Sequence, residues 1–442
     1  MRRKGLGLTL ELGGTIVALS SGAPPSGVAV VRITGPDAHR VAEALGARRL
    51  TVRKAHLRAL VAPSDGALID RALCVIFQGP QSATGEDMAE LHCHGSPAVI
   101  DRILSEALTL DGVRAAEPGE FTLRAVLAGK MGLADAEALA DLIDARTEAE
   151  RRRALRLTEG AFTQKLAQWR ADLIAALALC EAHIDFADES DVPDGGPPVD
   201  SALTALQTAI KGALDGSRDA HKLNDGFRVA FVGAPNAGKS SLINALAGRH
   251  VAIVSPEAGT TRDVVTATLD LGGYKVILAD TAGLRDVSEG VGQVEAMGMV
   301  LSRQEINEAD YIIVVRSPDT QNVNVGNPDL VIGHKSDVGA VPGAQIATAV
   351  DDEASIDWLA QHLAAAAKER LSGAETALVT HARQRSGLID VLGGVELALQ
   401  TPHLELKAQA LRSSCHAIAR LTGEIGVEEI LDDVFGRFCI GK

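Results

Sequence analysis

Hydrophobic residues fall along this chain in three different rhythms. Between about Thr15 and Thr122 they come as short Val- and Ile-rich runs, Thr15–Leu19, Val28–Ile33 and Leu73–Phe77, bounded by Gly and Pro, which predicts strands. Ala38–Leu45 and Pro97–Leu108 read as helices, so this stretch is expected to form a small α+β domain. From about Leu133 to Leu223 the sequence is rich in Ala, Leu, Glu and Arg. Its apolar positions (Leu139, Leu142, Ile143; Leu173, Ile174, Leu177) keep helical spacing, which predicts long helices. Asp188–Asp200, with Pro193, Gly195, Gly196, Pro197 and Pro198, breaks that pattern and predicts a loop. From Gly226 the runs Arg228–Val232, Lys275–Ala279, Tyr311–Val315 and Leu330–Ile332 alternate with helices, as a parallel sheet with crossover helices requires. The helical character returns from about Glu375 to Asp433. The simplest organisation is a helical domain interrupted by an inserted α/β domain: 10–125 N-terminal, 126–222 helical, 223–371 inserted, 372–442 helical again. No internal repeat is visible.

Composition narrows this picture. A chain of 442 residues exceeds one ordinary core, so several domains are expected. Aromatics are only 3%, so the cores must be built from Ala, Leu, Val and Ile. A net charge of −15 excludes a surface that binds nucleic acid all over, while leaving room for a local basic patch. The cysteines are Cys74, Cys93, Cys180, Cys415 and Cys439; the number is odd and no CxxC occurs, which argues against a disulfide framework and a zinc site and fits a reducing cytoplasm. The basic Met1-Arg2-Arg3-Lys4 precedes too short an apolar stretch for a signal peptide. Without a run of about 18 apolar residues no membrane span is expected.

The chemistry is concentrated in the inserted domain. Phe231-Val232-Gly233-Ala234-Pro235-Asn236-Ala237-Gly238-Lys239-Ser240-Ser241 fits GxxxxGK[ST] directly after a strand and before a helical run. Its glycines let backbone N–H groups close on phosphates, Lys239 supplies a cation for the β- and γ-phosphates, and the Ser240 hydroxyl can ligate Mg²⁺. Asp280-Thr281-Ala282-Gly283 follows the strand Lys275–Ala279, where a carboxylate can hold Mg²⁺ through water and a Gly N–H can meet the γ-phosphate. Between them, in Ser255-Pro256-Glu257-Ala258-Gly259-Thr260-Thr261-Arg262-Asp263, Thr261 can ligate Mg²⁺ and be released on hydrolysis, a switch; read alone, the segment is a surface turn. His334-Lys335-Ser336-Asp337 follows the strand Leu330–Ile332, and the Asp337 carboxylate would accept from guanine N1–H and N2–H₂, which adenine cannot offer. Asn is the usual first residue of that motif; His334 donates one hydrogen bond but lacks the paired geometry of a carboxamide. Thr348-Ala349-Val350 is the nearest candidate for a backbone contact to guanine O6. Together these residues point to binding and hydrolysis of GTP·Mg²⁺. Leu284 occupies the position where Ras-like GTPases carry a water-orienting Gln, so another group is required. Glu295 is a candidate, although by itself it reads as a solvated helix residue.

The flanks resemble the MnmE (TrmE) family of tRNA-modification GTPases over nearly the whole chain. The resemblance is carried by Val28-Ala29-Val30-Val31-Arg32-Ile33-Thr34-Gly35-Pro36, by Thr84-Gly85-Glu86-Asp87 with Glu90-Leu91-His92-Cys93-His94-Gly95, and by Pro118-Gly119-Glu120-Phe121 with Lys130-Met131-Gly132-Leu133-Ala134-Asp135-Ala136-Glu137-Ala138. The terminal Phe438-Cys439-Ile440-Gly441-Lys442 is similar to the family's FCIGK ending. The resemblance implies an N-terminal α+β domain that dimerises and binds 5-formyl- or methylene-tetrahydrofolate, and a helical domain carrying an inserted Ras-like P-loop GTPase domain. By matching position Arg32, Glu90, Lys130 and Lys442 would contact the folate; by themselves the first three read as surface ion pairs and Lys442 as a tail. It further implies a K⁺ ion held by Asn236, Ser255, Glu257 and Thr260 when two G domains meet, and Glu295 as the residue that orients water. The partners implied are tRNA and the FAD-dependent protein MnmG, in a heterotetramer with a homodimer of this chain; the product is an aminomethyl or carboxymethylaminomethyl group on C5 of the wobble uridine. Cys439 is a reactive or a structural thiol. The run Arg151-Arg152-Arg153 with Arg156 is a solvated helix face or a tRNA contact. A ribosome-assembly or regulatory GTPase of the Era-like class is the alternative, but no GXXG-bearing RNA-binding appendage is found. A degenerate nucleotide-binding scaffold is a third reading, with the intact P-loop against it.

Overall fold

The computed structural model describes residues 13–185, 199–250, 252–253, 266–280, 306–320, 326–424, 438 and 440–441. The loop expected at Asp188–Asp200 falls mostly outside them. The chain divides into two compact units, Met1–Ala140 with His416–Lys442, and Asp141–Cys415.

The first unit is built on a six-stranded sheet of β1 (Thr15–Leu19), β2 (Ser26–Thr34), β3 (His56–Val61), β4 (Leu68–Phe77), β5 (Met88–Gly95) and β6 (Val113–Ala115), in the order β3-β4-β5-β2-β1-β6. Every pairing is antiparallel except β1 with β6. Because side chains alternate across a strand, Ala29, Val31 and Ile33 of β2 and Ala89, Leu91 and Cys93 of β5 share one face. That face is covered by α1 (Ala38–Ala44) and α2 (Pro97–Leu108) to form the main core. On the opposite face Ile16 and Ala18 of β1 pack with Ala116 and Phe121 of α3 (Glu120–Leu127). The row Ala18, Arg32, Glu90, Val75 crosses β1, β2, β5 and β4 on this second face. Leu133 and Ala136, at the start of α4 (Leu133–Asp144), pack with Leu123 and Phe438. Beyond Phe438, Ile440 bridges Pro118, and Ser20 Oγ donates to the Gly441 carbonyl. Gly441 has φ +94°, and a Cβ there would lie 1.8 Å from the Leu19 carbonyl oxygen, so only glycine fits.

The second unit contains a sheet of β7 (Phe227–Val232), β8 (Thr266–Leu271), β9 (Tyr274–Asp280), β10 (Tyr311–Arg316), β11 (Leu330–His334) and β12 (Ile346–Thr348), ordered β12-β11-β10-β7-β9-β8. The strands run parallel, as their apolar runs predict, except that the edge strand β8 pairs antiparallel with β9. The helices α8 (Lys239–Arg249) and α9 (Glu353–Thr376) contribute Leu242, Ile243, Leu246, Ile356, Leu359 and Leu363 to the same core as the sheet. Asp352 caps α9, its carboxylate accepting from the Ser355 N–H. The helical portion comprises α5 (Glu148–Thr158), α6 (Ala161–Asp185), α7 (Asp200–Asp225), α10 (Ala382–Gln400) and α11 (Leu404–Thr422). Thr147 and Glu150 form a reciprocal cap on α5. The arginine run on α5 is not an open basic patch. Arg153 is buried and donates to the Ala220 carbonyl and Asn224 Oδ1, and Arg156 donates to the Glu375 and Ala377 carbonyls. Arg151 and Arg152 pair with Glu148 and Glu375. Helical periodicity turns every third or fourth position of such a run inward, and here the inward guanidinium ties α5 to α7. Among the described residues no helix is long and apolar enough to cross a membrane.

Candidate functional site

Parallel strands bring their C-terminal ends to one edge, and the described residues of the phosphate loop, Asp280 and the segment from His334 to Asp337 follow those ends. The loop after β7 runs from Gly233 into α8, with Asn236 at φ +64° and Gly238 at φ +93°. Lys239, 3% exposed, donates through Nζ to the carbonyls of Gly233 (2.9 Å) and Ala234 (3.0 Å). Burial lowers its pKa, and the nearby Asp280 carboxylate works the other way. Ser240 Oγ donates to Oδ2 of Asp280, the last residue of β9. A hydroxyl and a buried carboxylate in contact form a hard oxygen donor pair that suits Mg²⁺. Asn236 is exposed, and its carboxamide oxygen is a donor of the type K⁺ accepts.

The segment after β11 lies beside this loop. His334 is 1% exposed and its Nδ1 shares a 2.9 Å hydrogen bond with Thr348 Oγ1 on β12. A Cβ on Gly238 would lie 2.2 Å from His334 Cδ2, so the imidazole and the phosphate loop are in direct contact. Burial lowers the His334 pKa, Lys335 adding to the effect while Asp337 and Thr348 oppose it. Lys335 adopts φ +58°, and its Nζ lies 3.0 Å from Asp319 Oδ2. The Asp319 carboxyl is pulled down to about 2, chiefly by the Ser317 hydroxyl and then by Lys335. Ser336 N–H donates to the Thr348 carbonyl (3.1 Å), while Asp337 stands exposed at the rim. Thr348 and Ala349 are buried and Val350 is exposed. Asp319 and Ser317 are absent from the sequence-based set; Ser317-Pro318-Asp319-Thr320 carries only a turn signal.

A second cluster occupies the second face of the first unit's sheet. Arg32 Nη2 lies 3.0 Å from Glu90 Oε1, and His92 Nε2 lies 3.2 Å from Glu90 Oε2. The Arg32 guanidinium also sits 5.7 Å from the Phe121 ring centre. Glu90 and Lys130 line a cavity of about 520 Å³ together with Arg53, Phe77, Gln81 and Met88. A carboxylate, two cations and an apolar wall suit a flat pterin with an acidic tail. Arg53, Phe77 and Gln81 were not marked by any motif. The neighbouring Thr84-to-Asp87 and Pro118-to-Phe121 segments form the support. Arg124, 4% exposed as a residue, pairs with Glu86 and Glu120, and Arg114 reaches Glu120 from the other side. Burial pushes the Glu120 pKa up, but hydrogen bonds from Arg114, the Glu117 N–H and Arg124 outweigh it and leave it below the ordinary 4.5. Gly441, docked on Leu19 and Ser20, brings the C-terminal segment to the end of β1, next to the position where Ala18 faces Arg32.

Ser255, Pro256, Glu257, Ala258, Gly259, Thr260, Thr261, Thr281, Ala282, Gly283, Glu295, Cys439 and Lys442 lie outside the described residues. Cys74 and Cys93 sit in the sheet core, where burial pushes the Cys74 thiol up to about 11 and raises that of Cys93.

The family profile described as MnmE helical domain matches residues 133–439, and that described as GTP-binding protein TrmE N-terminus matches residues 15–130. The tRNA modification GTPase MnmE of Methylobacterium radiotolerans is 44% identical over 97% of this chain and 99% of its own length. That of Parvibaculum lavamentivorans is 45% identical over 97% and 100%. Among solved structures, Era of Aquifex aeolicus is 22% identical over 38% of this chain and 67% of its own, with a TM-score of 0.25. The FeoB G domain of T. maritima is 20% identical over 33% and 96%, with a TM-score of 0.21.

Proposed function

The chain belongs to the MnmE family of tRNA modification GTPases, and from that premise we propose that it hydrolyses GTP in the modification of the wobble uridine of tRNA. The observation that carries the proposal is the meeting of Lys239, Ser240 and Asp280 at the edge where β7 and β9 end, beside His334–Asp337. Backbone N–H groups of Asn236 to Ser241 would cradle the phosphates, with Lys239 released from the loop carbonyls to meet the β- and γ-oxygens. Asp337 would accept from the guanine edge, and the Lys335 stem would lie along the base. Ser240 and Thr261 would hold Mg²⁺, with Asp280 behind it, and Asn236, Ser255, Glu257 and Thr260 would hold K⁺. When bound, the two ions supply positive charge against the triphosphate. Glu295 would hold water in line with the γ-phosphorus, the task that Leu284 cannot perform.

The cavity bounded by Glu90, Lys130, Arg53 and Phe77 is read as the tetrahydrofolate site, where Arg32, Glu90, Lys130 and Lys442 would contact the folate. The folate supplies the one-carbon unit. FAD belongs to MnmG, which would join a homodimer of this chain in the cytoplasm and act on tRNA with it. The domain limits assign folate binding and dimerisation to 10–125, the helical platform to 126–222 and 372–442, and the G domain to 223–371.

Phosphate release from GTP and ATP, each in KCl and in NaCl, tests the nucleotide part. GTP alone should turn over, about tenfold faster with K⁺; equal use of ATP sinks the guanine reading, and indifference to the cation sinks the K⁺ site. Calorimetry with 5-formyltetrahydrofolate tests the other part: Arg32→Ala should bind it about tenfold more weakly than wild type, and undiminished binding removes Arg32 from the site.

A further inference from the structure

We propose that His334 is a positioning residue that holds the phosphate loop and the base-reading segment in one register, so that nucleotide affinity depends on its ring. The inference rests on the GTP-binding reading above. His334 takes the place of the expected Asn, and the structure gives the ring work that a carboxamide would do differently. Its position at the end of β11 pairs with Thr348 on β12, and the side chains of the two are joined at 2.9 Å. The other edge of the ring lies on Gly238, where a Cβ would come within 2.2 Å of Cδ2 and 2.9 Å of Nε2. Gly238 also sits at φ +93°, so the ring rests on the one residue type that suits both the backbone and the contact. One buried side chain thus touches the phosphate loop, the β11 end and β12.

A nucleotide spans these segments, its phosphates on the first and its base on the second. A shift of one against the other lowers affinity even with every contact residue intact. The imidazole braces Gly238 by close packing, whereas the shorter Asn side chain would act through hydrogen bonds. The ring works as the neutral form. Burial disfavours its cation; Lys335 on its own segment adds to the effect, Asp337 and Thr348 oppose it, and Asp319 after β10 is engaged by Lys335. Protonation would therefore loosen the brace.

Titration with GDP at about pH 7.5 and about pH 5.5 tests this on wild type, His334→Ala, His334→Asn and Thr348→Val. At the higher pH, His334→Ala should bind GDP about tenfold more weakly, with KM for GTP rising by more than kcat falls. His334→Asn should recover part of the loss, and Thr348→Val should lose about threefold. Wild-type affinity should fall at the lower pH by more than that of His334→Asn. The inference is overturned if GDP binding by His334→Ala stays within twofold of wild type. It is also overturned if Thr348→Val and His334→Asn bind like wild type at both pH values, a result that stands even where the Ala variant does not fold. A wild type that binds no GDP removes the nucleotide reading itself, which is a different failure.

Discussion

The two sheets solve the problem of exposing a site in opposite ways. In the first unit helices α1 and α2 cover one face of a mostly antiparallel sheet, and the other face, partly covered by Phe121, carries Arg32, Glu90 and His92 as a cross-strand set. Side chains build that site, and their ion pairs hold it. In the second unit the candidate site moves to the edge where parallel strands end. There the backbone of residues 233–241 shapes the candidate site, with left-handed torsions at Asn236 and Gly238. The lesson is that the first cluster is held chiefly by its charge partners and the second chiefly by the backbone shape of its loop, each with one exception that a substitution can reach.

The comparison breaks most visibly at Lys239, the one side-chain cation among the backbone donors of the phosphate loop. Lys239→Ala should lower kcat/KM for GTP by roughly 10²–10³, measured by phosphate release, while 5-formyltetrahydrofolate binding stays at the wild-type level. A loss of both would mean the sites are not independent. Next in size is Gly441→Ala, a backbone test within the side-chain-built unit. The Cβ clash and the positive φ should cost about 1–3 kcal/mol locally, seen as faster amide exchange around Leu19 and Ile440. Unchanged exchange there would show that the docking of Gly441 adds no stability. The smallest effect is a pH dependence. Glu120 has a lowered pKa in the folded chain, so its contribution is present above its unfolded value of 4.5 and is lost as pH falls through the lower folded value. Glu120→Gln should flatten the melting temperature against pH below about 4.5; a slope equal to that of wild type would mean that other carboxylates carry the acid sensitivity.

The parts of the fold legible in the sequence are those in which one signal dominates. The Val- and Ile-rich runs of β2, β7, β10 and β11 emerged nearly at their observed limits, and Thr15–Leu19 and Pro97–Leu108 at the same limits. Strand β5 did not, because Met-Ala-Glu-Leu-His-Cys-His-Gly alternates a buried apolar side with a polar side that resembles a motif loop. β3 and β8 are edge strands, where half the backbone is unpaired and the selection for apolar residues is weaker. The nucleotide-site residues were legible because phosphate recognition demands fixed spacing in sequence. The cavity residues Arg53, Phe77 and Gln81 were not, because they come together only through strand pairing and loop packing. Arg153 was misread as surface because a charge run hides which of its members turns inward.

The first unit receives contacts from Phe438, Ile440 and Gly441, although Asp141–Cys415 separates them in sequence from the Leu123, Pro118 and Leu19 that they meet. On a ribosome adding roughly 5–20 residues per second, the early strands wait for tens of seconds before that closing segment emerges. The end of β1 and the Pro118 segment thus stay without these partners while the whole second unit is being made.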